Sequence, residues 1–259
     1  MEWRERDGVR WLEADLGGAR AAFSTRRGGV SEPPFDELNL GIFTDDDPDA
    51  VTENRRRLAS ALGLQADQIV YALQVHGTRL IDHPEGSNES RGSFDTAYVQ
   101  KEPRDGVPEA DGHVVREPGL APMVLAADCL PIALYGPKGL AMVHAGWRGL
   151  AGGIIAKAAE AVEAAAAAIG PGIGPDCYEV GEEVLAAFAD LGDRITEGRM
   201  LDLPEVARRR LAEAGVEQVQ SAELCTSCEE DLFFSHRRDR GRTGRQAGVA
   251  WLEGGRWRS

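Results

Sequence analysis

Several things that would mark a membrane, nucleic-acid-binding or disulfide-stapled protein are missing from this chain. No run of eighteen uncharged apolar residues occurs, because the best candidate, residues 154–169, is interrupted by Lys157, Glu160 and Glu163; a transmembrane helix is therefore not expected. Basic residues are in deficit: 29 Lys and Arg stand against 43 Asp and Glu, a net charge of -14. So acidic a surface repels a phosphodiester backbone, which argues against nucleic acid as a partner. Four cysteines in 259 residues do not make a disulfide scaffold. The first residues are charged from Glu2 onward and carry no apolar signal-peptide core. The expectation is a cytoplasmic protein with reduced thiols and no membrane association. Tandem repeats, long low-complexity tracts and a convincing linker are also missing, so one domain over residues 1–259 is expected. What is present suffices for a core, since 42% of the residues are apolar.

The segments alternate in a way that predicts a mixed α/β architecture. Strands are expected at Val9–Leu16, Arg20–Thr25, Ile69–Val75, Met123–Ala127, Ile132–Tyr135, Leu140–Val143 and Gly248–Leu252. Helices are expected at Thr52–Leu62, from the Gly146–Gly149 turn to about Val162, at Glu182–Leu191 and at Pro204–Ala214. Ala165–Gly170 reads as either a helix end or a short strand. The polar stretch Pro84–Asp105 reads as a loop-rich excursion.

Three sites each place a metal-capable side chain at the end of an apolar run: Gln74-Val75-His76-Gly77, Ala127-Asp128-Cys129-Leu130 and Val143-His144-Ala145-Gly146-Trp147-Arg148-Gly149. α/β folds commonly hold reactive groups at strand ends. One thiolate and two imidazoles suit zinc, and three protein ligands leave a fourth position for water or substrate. Asp128, beside Cys129, is a candidate to orient an imidazole. On spacing alone the alternative stands beside this one: a buried small hydrophobe at Cys129 and two satisfied core histidines. The glycine-bearing turn after His144 favours an anion, with Arg148 as a bidentate partner; glycines that merely permit a tight turn are the competing reading. Arg26 and Asn39 sit in polar turns after apolar runs. Arg237, Arg238, Arg240, Arg242 and Arg245 form a basic cluster in an acidic chain, whose default reading is solvated self-pairing. Cys225 and Cys228 form a single CxxC, a weak zinc signal alone. His83-Pro84-Glu85 matches half of a nucleobase-deaminase signature, but the other half is missing its Pro and lies far away.

Taken together, QVHG at 74–77, ADCLPI at 127–132 and HAGWRG at 144–149 resemble the laccase-domain family, long labelled multicopper polyphenol oxidases and since reassigned as purine nucleoside phosphorylases. Phe23–Gly29, Leu38–Gly41, Gly170–Gly174, Tyr178–Gly181 and Phe233–Arg245 are similar to its other signatures, so the resemblance runs over almost the whole chain. It implies an α/β fold, a single-domain layered sheet-and-helix sandwich with mixed sheets. It also implies zinc held by His76, Cys129 and His144. The implied reactions are phosphorolysis of adenosine, inosine and methylthioadenosine and deamination of adenosine, so purine nucleosides and phosphate are the implied partners. Cys225-Thr226 belongs to the family pattern and Cys228 does not; the stretch from Gly149 to Gly170 is shorter than usual.

On this reading Cys129, His76 and His144 are the catalytic centre. Arg148 and Arg26, then Arg245, position phosphate, and Gln74 and Asn39 contact ribose or base. The older oxidase label meets an obstacle in composition: only five histidines are present and no two are separated by one residue. A multicopper cluster needs more imidazoles, although a single copper in place of zinc at the same three ligands is compatible with them. Two further alternatives use the same residues: a cysteine hydrolase with Cys129 as nucleophile and a histidine base, and a non-catalytic domain whose zinc has four protein ligands.

Overall fold

Long apolar runs with little alternation predict strands covered on both faces, and the middle of the chain folds that way. The computed structural model describes residues 1–83, 107–192 and 194–254. The first strands are β1 (Glu2–Arg6), β2 (Val9–Asp15) and β3 (Ala19–Ser24), followed by helix α1 (Pro48–Leu62). Next come β4 (Ile69–Val70), β5 (Leu80–His83), β6 (Gly112–Val115), β7 (Ala121–Ala126), β8 (Leu130–Gly136) and β9 (Gly139–Ala145). Helices α2 (Trp147–Ala151) and α3 (Ile154–Val162) lead to β10 (Ala166–Ile169) and α4 (Glu182–Ala186). The short hairpin β11 (Thr196–Glu197) and β12 (Met200–Leu201) precedes α5 (Leu203–Glu213), β13 (Gln218–Ser221) and β14 (Gln246–Leu252).

Two six-stranded sheets result, ordered β1-β2-β3-β14-β7-β4 and β13-β10-β8-β9-β6-β5. Both are mixed: β4 runs parallel to β7, β5 to β6 and β10 to β13, while the other pairs are antiparallel. The facing sides share one apolar cluster, including Ala14, Ala21, Phe23, Ala133, Met142, Ala168 and Ala250. Alanine dominates because the sheets lie close. At Gly248 a Cβ would stand 2.2 Å from the Met142 methyl, so even alanine does not fit there. On its outer side the first sheet packs against α1 through Leu58, Ala59 and Ala61. The outer side of the second sheet is covered by α2, α3, α4 and α5 through residues such as Leu150, Ile155, Val184 and Leu211. The layers are therefore helix, sheet, sheet, helices, the layered α/β sandwich with mixed sheets that the resemblance implied.

The helix ends follow their local chemistry. Asp47 caps α1 by accepting from the Asp49 N–H, Pro48 opens it, and Gly63 closes it at φ 72. Asp202 caps α5 in the same way, accepting from the Glu205 N–H.

Four expectations are modified. The strand expected at Ile69–Val75 ends at Val70, because the chain then peels from the sheet edge with only a bridge between Leu73 and Glu109. The helix expected to run unbroken to Val162 is split at Gly152 and Gly153, the latter at φ 84. The segment at Glu182–Leu191 divides into α4 and a 3₁₀ turn at Ala189–Leu191. Ala166–Ile169, ambiguous in sequence, is a strand, with Ala167 and Ile169 towards the helices and Ala166 and Ala168 towards the other sheet. The excursion expected at Pro84–Asp105 lies outside the described residues.

Two histidines outside the motifs are buried together: His83 Nε2 and His113 Nδ1 lie 3.0 Å apart. Burial and the neighbouring His83 push His113 down to about 3, and burial lowers His83. An unfolded histidine takes up its proton near about 6.5. Protonation therefore favours the unfolded chain, and this pair stabilises the fold fully above that pH. The contribution is lost as pH falls towards 3, at up to about 1.4 kcal/mol per pH unit. Urea titrations at about pH 7 and pH 5 are expected to show a smaller loss of stability in His113→Gln than in the wild type. An equal loss in both would locate the acid sensitivity elsewhere.

Candidate metal centre

Two connections between the sheets and one strand end meet here. His76 follows β4 of the first sheet, Cys129 lies in the turn from β7 of the first sheet to β8 of the second, and His144 lies near the end of β9. Alternation along β9 puts His144 on the side of Leu140 and Met142, towards the first sheet. The donor atoms of His76, Cys129 and His144 lie within 4.8 Å of one another. The two imidazoles meet edge to face, with ring centroids 4.9 Å apart. Exposure falls across the group: His76 is exposed, Cys129 intermediate and His144 buried. The set thus has an open side.

The turn that carries Cys129 is strained, with Asp128 at φ 95. A left-handed non-glycine residue costs roughly 1–2 kcal/mol. Two hydrogen bonds to the Asp128 carboxylate offset it, from the Thr226 hydroxyl and the Arg237 N–H, both at 2.7 Å; bonds to a charged group contribute about 1.5–3 kcal/mol each. Gly146, between His144 and α2, has no room for a side chain: a Cβ would lie 2.9 Å from the Cys129 sulfur and 3.3 Å from His76.

Asp111, fully buried just before β6, holds the other two ligands. Its Oδ1 lies 2.9 Å from His144 Nδ1, so that nitrogen carries the proton and Nε2 is left for a cation. The same carboxylate accepts the backbone N–H groups of Val75, His76 and Gly77 at 3.2, 2.9 and 2.6 Å. His76 is thereby held at φ 59. Burial alone would push Asp111 up, but the His144 ring and the Gly77 N–H outweigh it and hold the carboxyl below the usual range. Burial would likewise raise Cys129, yet the facing His144 and His76 bring its thiol down to about 6. Against the same burial, the Cys129 thiolate and Asp111 lift His144 to about 9. Without a cation, sulfur and ring therefore share charge as a thiolate–imidazolium pair.

The other expected site residues separate into two groups. Arg148 is exposed, stacks on the Trp147 ring at 4.3 Å and makes no hydrogen bond among the described residues. Arg245 donates to the carbonyls of Thr243 and Gly244, and its charge acts on Cys129 and Asp128. Neither side chain pairs with a carboxylate among the described residues. The remaining expectations need correction. Asp128 touches no imidazole; Asp111 does that work, and Asp128 instead ties the Cys129 turn to Thr226 and Arg237. Gln74 clamps the His76 loop to β7, donating to the Leu125 carbonyl at 2.7 Å and accepting from the Leu125 N–H at 2.8 Å. Asn39 is fully buried and bonded to Thr44, Asp46, Gly41 and Arg245. Arg26 is engaged by Asp36 and Glu230 and packs over Phe234. Asn39 has its amide fully taken up within the protein, and Gln74 and Arg26 are engaged there in part, which sequence does not reveal. The arginine cluster is only partly solvated: Arg238 docks on the carbonyls of Thr226 and Phe233 as well as on Asp239.

Tyr178 opens one of the signature segments, but sequence assigns it no role. Burial, then the Cys129 charge, pushes its hydroxyl up to about 12, and Arg237 stacks over its ring at 5.2 Å. Asp111 had no sequence signal beyond its position between two apolar segments. Deaminase-like spacing at His83 has no counterpart here, since that ring meets His113.

The fold and the site define a class: a helix–sheet–sheet–helix protein with a His–Cys–His cluster able to hold one cation. Residues 20–253 match the family described as multi-copper polyphenol oxidoreductase laccase, and the chain belongs to that family. It is 39% identical over 255 residues to the purine nucleoside phosphorylase YfiH of Escherichia coli strain K12, covering 91% of this chain and 94% of that one. It is 39% identical over 259 residues to the purine nucleoside phosphorylase YlmD of Geobacillus stearothermophilus, covering 91% and 92%. The crystal structure of YlmD from Geobacillus stearothermophilus superposes with a TM-score of 0.83 at 35% identity, over 97% of this chain and 98% of that one. That of the Bacillus licheniformis hypothetical protein YfiH gives 0.82 at 34%, over 97% and 99%.

If Asp111 orients the ligands, Asp111→Asn is expected to weaken zinc binding roughly 10–100-fold while leaving a folded chain. Competition against a chromophoric chelator measures it, and an unchanged affinity would remove Asp111 from the centre.

Proposed function

We propose that the chain is a zinc-dependent purine nucleoside phosphorylase that cleaves adenosine, inosine and methylthioadenosine with phosphate, deaminates adenosine as well, and works in the cytoplasm. The observation that carries the reading is the convergence of one thiolate and two imidazoles within 4.8 Å, with no fourth His, Cys, Asp or Glu in that group among the described residues. The names of the relatives supply the substrate class. Among the described residues no helix is long and apolar enough to cross a membrane.

The residues suit the cation. Zinc accepts sulfur and nitrogen ligands, and a three-ligand site with an exposed side is the catalytic pattern. Bound there it supplies Lewis acidity. The protein supplies the rest. Arg148, free of other partners among the described residues, and Arg245 would hold the phosphate against C1′ of the ribose. Tyr178 keeps its proton up to about 12, so it acts as a donor at neutral pH, towards the departing base or amine. Copper at the same three ligands remains compatible with the donor set. A multicopper cluster is not: His83 and His113 bond to each other, and His236 packs beside Gly241. That leaves two imidazoles at the centre.

A second reading, a cysteine hydrolase, draws on the thiolate–imidazolium pair of Cys129 and His144. Alkylation separates the two. In metal-free protein, iodoacetamide labelling at Cys129, followed by peptide mass spectrometry, is expected to rise through pH about 6. Zinc is expected to suppress it while turnover appears. Activity that needs no metal and disappears on alkylation would favour the hydrolase.

Adenosine with and without phosphate, with products identified, tests the main reading. Cys129→Ala is expected to lose nucleoside turnover and zinc at this centre with the fold intact; full activity in metal-free Cys129→Ala would reject the site. Arg148→Ala is expected to raise the KM for phosphate more than it affects deamination. Equal loss of both activities would deny Arg148 a phosphate-specific role.

A further inference from the structure

Outside this centre, a second group of metal-capable side chains converges. Cys177, Cys225 and Cys228 have their sulfurs within 4.8 Å of one another, and the Cys177 and Cys228 sulfurs are 3.3 Å apart. Cys177 is remote in sequence from the CxxC, so backbone pairing must bring the two together. Gly172 bridges Cys225 in parallel, and the Thr226 N–H donates to the Gly172 carbonyl at 2.9 Å. The Gly174 N–H then donates to the Cys225 sulfur at 3.2 Å, and the 3₁₀ turn at Pro175–Cys177 carries the third sulfur round to the other two. On the opposite side the Glu229 N–H closes a turn on the Cys225 carbonyl at 2.9 Å, which folds Cys228 back over Cys225.

Packing alone does not explain the group. A structural cysteine is a small hydrophobe and belongs in a core. Here Cys228 is exposed and Cys177 and Cys225 are half-buried. Cys225 and Cys228 line a cleft of about 300 Å³ that Asp176 also borders, so a small ion has a way in. The spacing fits one ion. Zinc lies about 2.3 Å from each sulfur, which sets tetrahedral sulfur–sulfur separations at roughly 3.8 Å. The Cys177–Cys228 sulfurs are 3.3 Å apart and no pair in the group exceeds 4.8 Å, so small shifts bring all three to that spacing. Thiolates select soft cations over magnesium or calcium.

We propose that Cys177, Cys225 and Cys228 form a second cation site, separate from the His76–Cys129–His144 centre, which takes zinc through three thiolates. Each zinc–sulfur bond replaces one thiol proton, released to solvent, and no oxidant or reductant is needed. The site joins two segments that run on to the first centre. Cys177 precedes Tyr178, and Cys225 precedes Thr226, whose hydroxyl bonds Asp128 in the Cys129 turn. Zinc bound by the three thiolates would tie those two segments together.

Full-length protein, reduced, stripped, reloaded with zinc sulfate and desalted, tests this by its zinc content per chain. The decisive quantity is the difference between wild type and Cys228→Ser, expected to be about one equivalent. Cys177→Ser is expected to lose the same equivalent, and Cys129→Ala to keep it. In Cys129→Ala, zinc is expected to protect the remaining three thiols from a thiol-titrating reagent. Cys228 is exposed, so its serine variant is expected to fold, which circular dichroism checks. Zinc content unchanged in both Cys228→Ser and Cys177→Ser overturns the proposal. So does a chain with a Cys177–Cys228 disulfide that takes up no zinc at these thiols after reduction. The count involves no nucleoside, so it stands or falls apart from the proposed phosphorylase activity.

Discussion

The centre depends on one buried carboxylate. Asp111 has no exposure, and leaving it unpaired would cost several kcal/mol. It is satisfied by the His144 ring and by three consecutive N–H groups, at Val75, His76 and Gly77. That satisfaction places the ligands. The loop must curl round the carboxylate to present its amides, which holds His76 in a left-handed conformation. The ring must turn its Nδ1 inward, which leaves Nε2 for a cation. The His144 N–H also donates to the Asp111 carbonyl at 2.7 Å, so the two residues are joined through backbone as well as side chain. Cys129 needs a different support, because its turn leaves β7 on one sheet and enters β8 on the other. Asp128, Thr226 and Arg237 provide it. Two anchored carboxylates, one for each side of the sandwich, thus bring three ligands from separate segments to one point.

The layering explains why that point lies at the margin of the sheets. Between them the space is filled by alanines, Phe23 and Met142, with glycine at the tightest approach, and there is no space in that layer for a site. Where the chain crosses from one sheet to the other the layers part, and polar side chains reach solvent. Strand ends in α/β folds commonly serve this purpose, and here the useful ends belong to two stacked sheets.

The sequence carried the strands and the ligands better than it carried what supports them. Runs such as Met123–Ala127 and Leu140–Val143 are apolar enough to be read directly as buried strands, whereas α1, expected from Thr52, begins a turn earlier at Pro48, where Asp47 caps it. Edge strands such as Glu2–Arg6 and Gln218–Ser221 are too polar to show an apolar run. Gly152 and Gly153 split a helix that the alanines would otherwise have continued. His76, Cys129 and His144 are legible because their residue types name their chemistry. Asp111 is not, since one aspartate among the 43 acidic residues becomes special only when burial and partners single it out. Asn39, Gln74 and Arg26 show the converse. Polar residues in glycine-bearing turns look like ligand contacts in sequence, and each proves to be bonded into the framework. CxxC was weak evidence alone and became a cluster only when β-bridge pairing delivered Cys177.

A net charge of -14 is at first sight opposed to the phosphate site proposed above. The contradiction disappears when the charge is resolved locally, because net charge governs long-range encounter whereas binding depends on the field at the site. A divalent cation on one thiolate and two neutral imidazoles carries a net positive charge. Arg245 carries its charge close enough to act on Cys129 and Asp128, while Asp128 and Asp111 have their oxygens engaged by hydrogen bonds. At physiological salt a charge more than about 8 Å away is strongly screened. A small phosphate at the His76–Cys129–His144 centre would therefore experience Arg245 and a bound cation more than the distant acidic surface. A long polyanion would have to lie along that surface and is repelled by it. If the centre acts as proposed, this distribution would admit a nucleoside and inorganic phosphate and disfavour a nucleic-acid strand, so an acidic composition is compatible with the proposed activity.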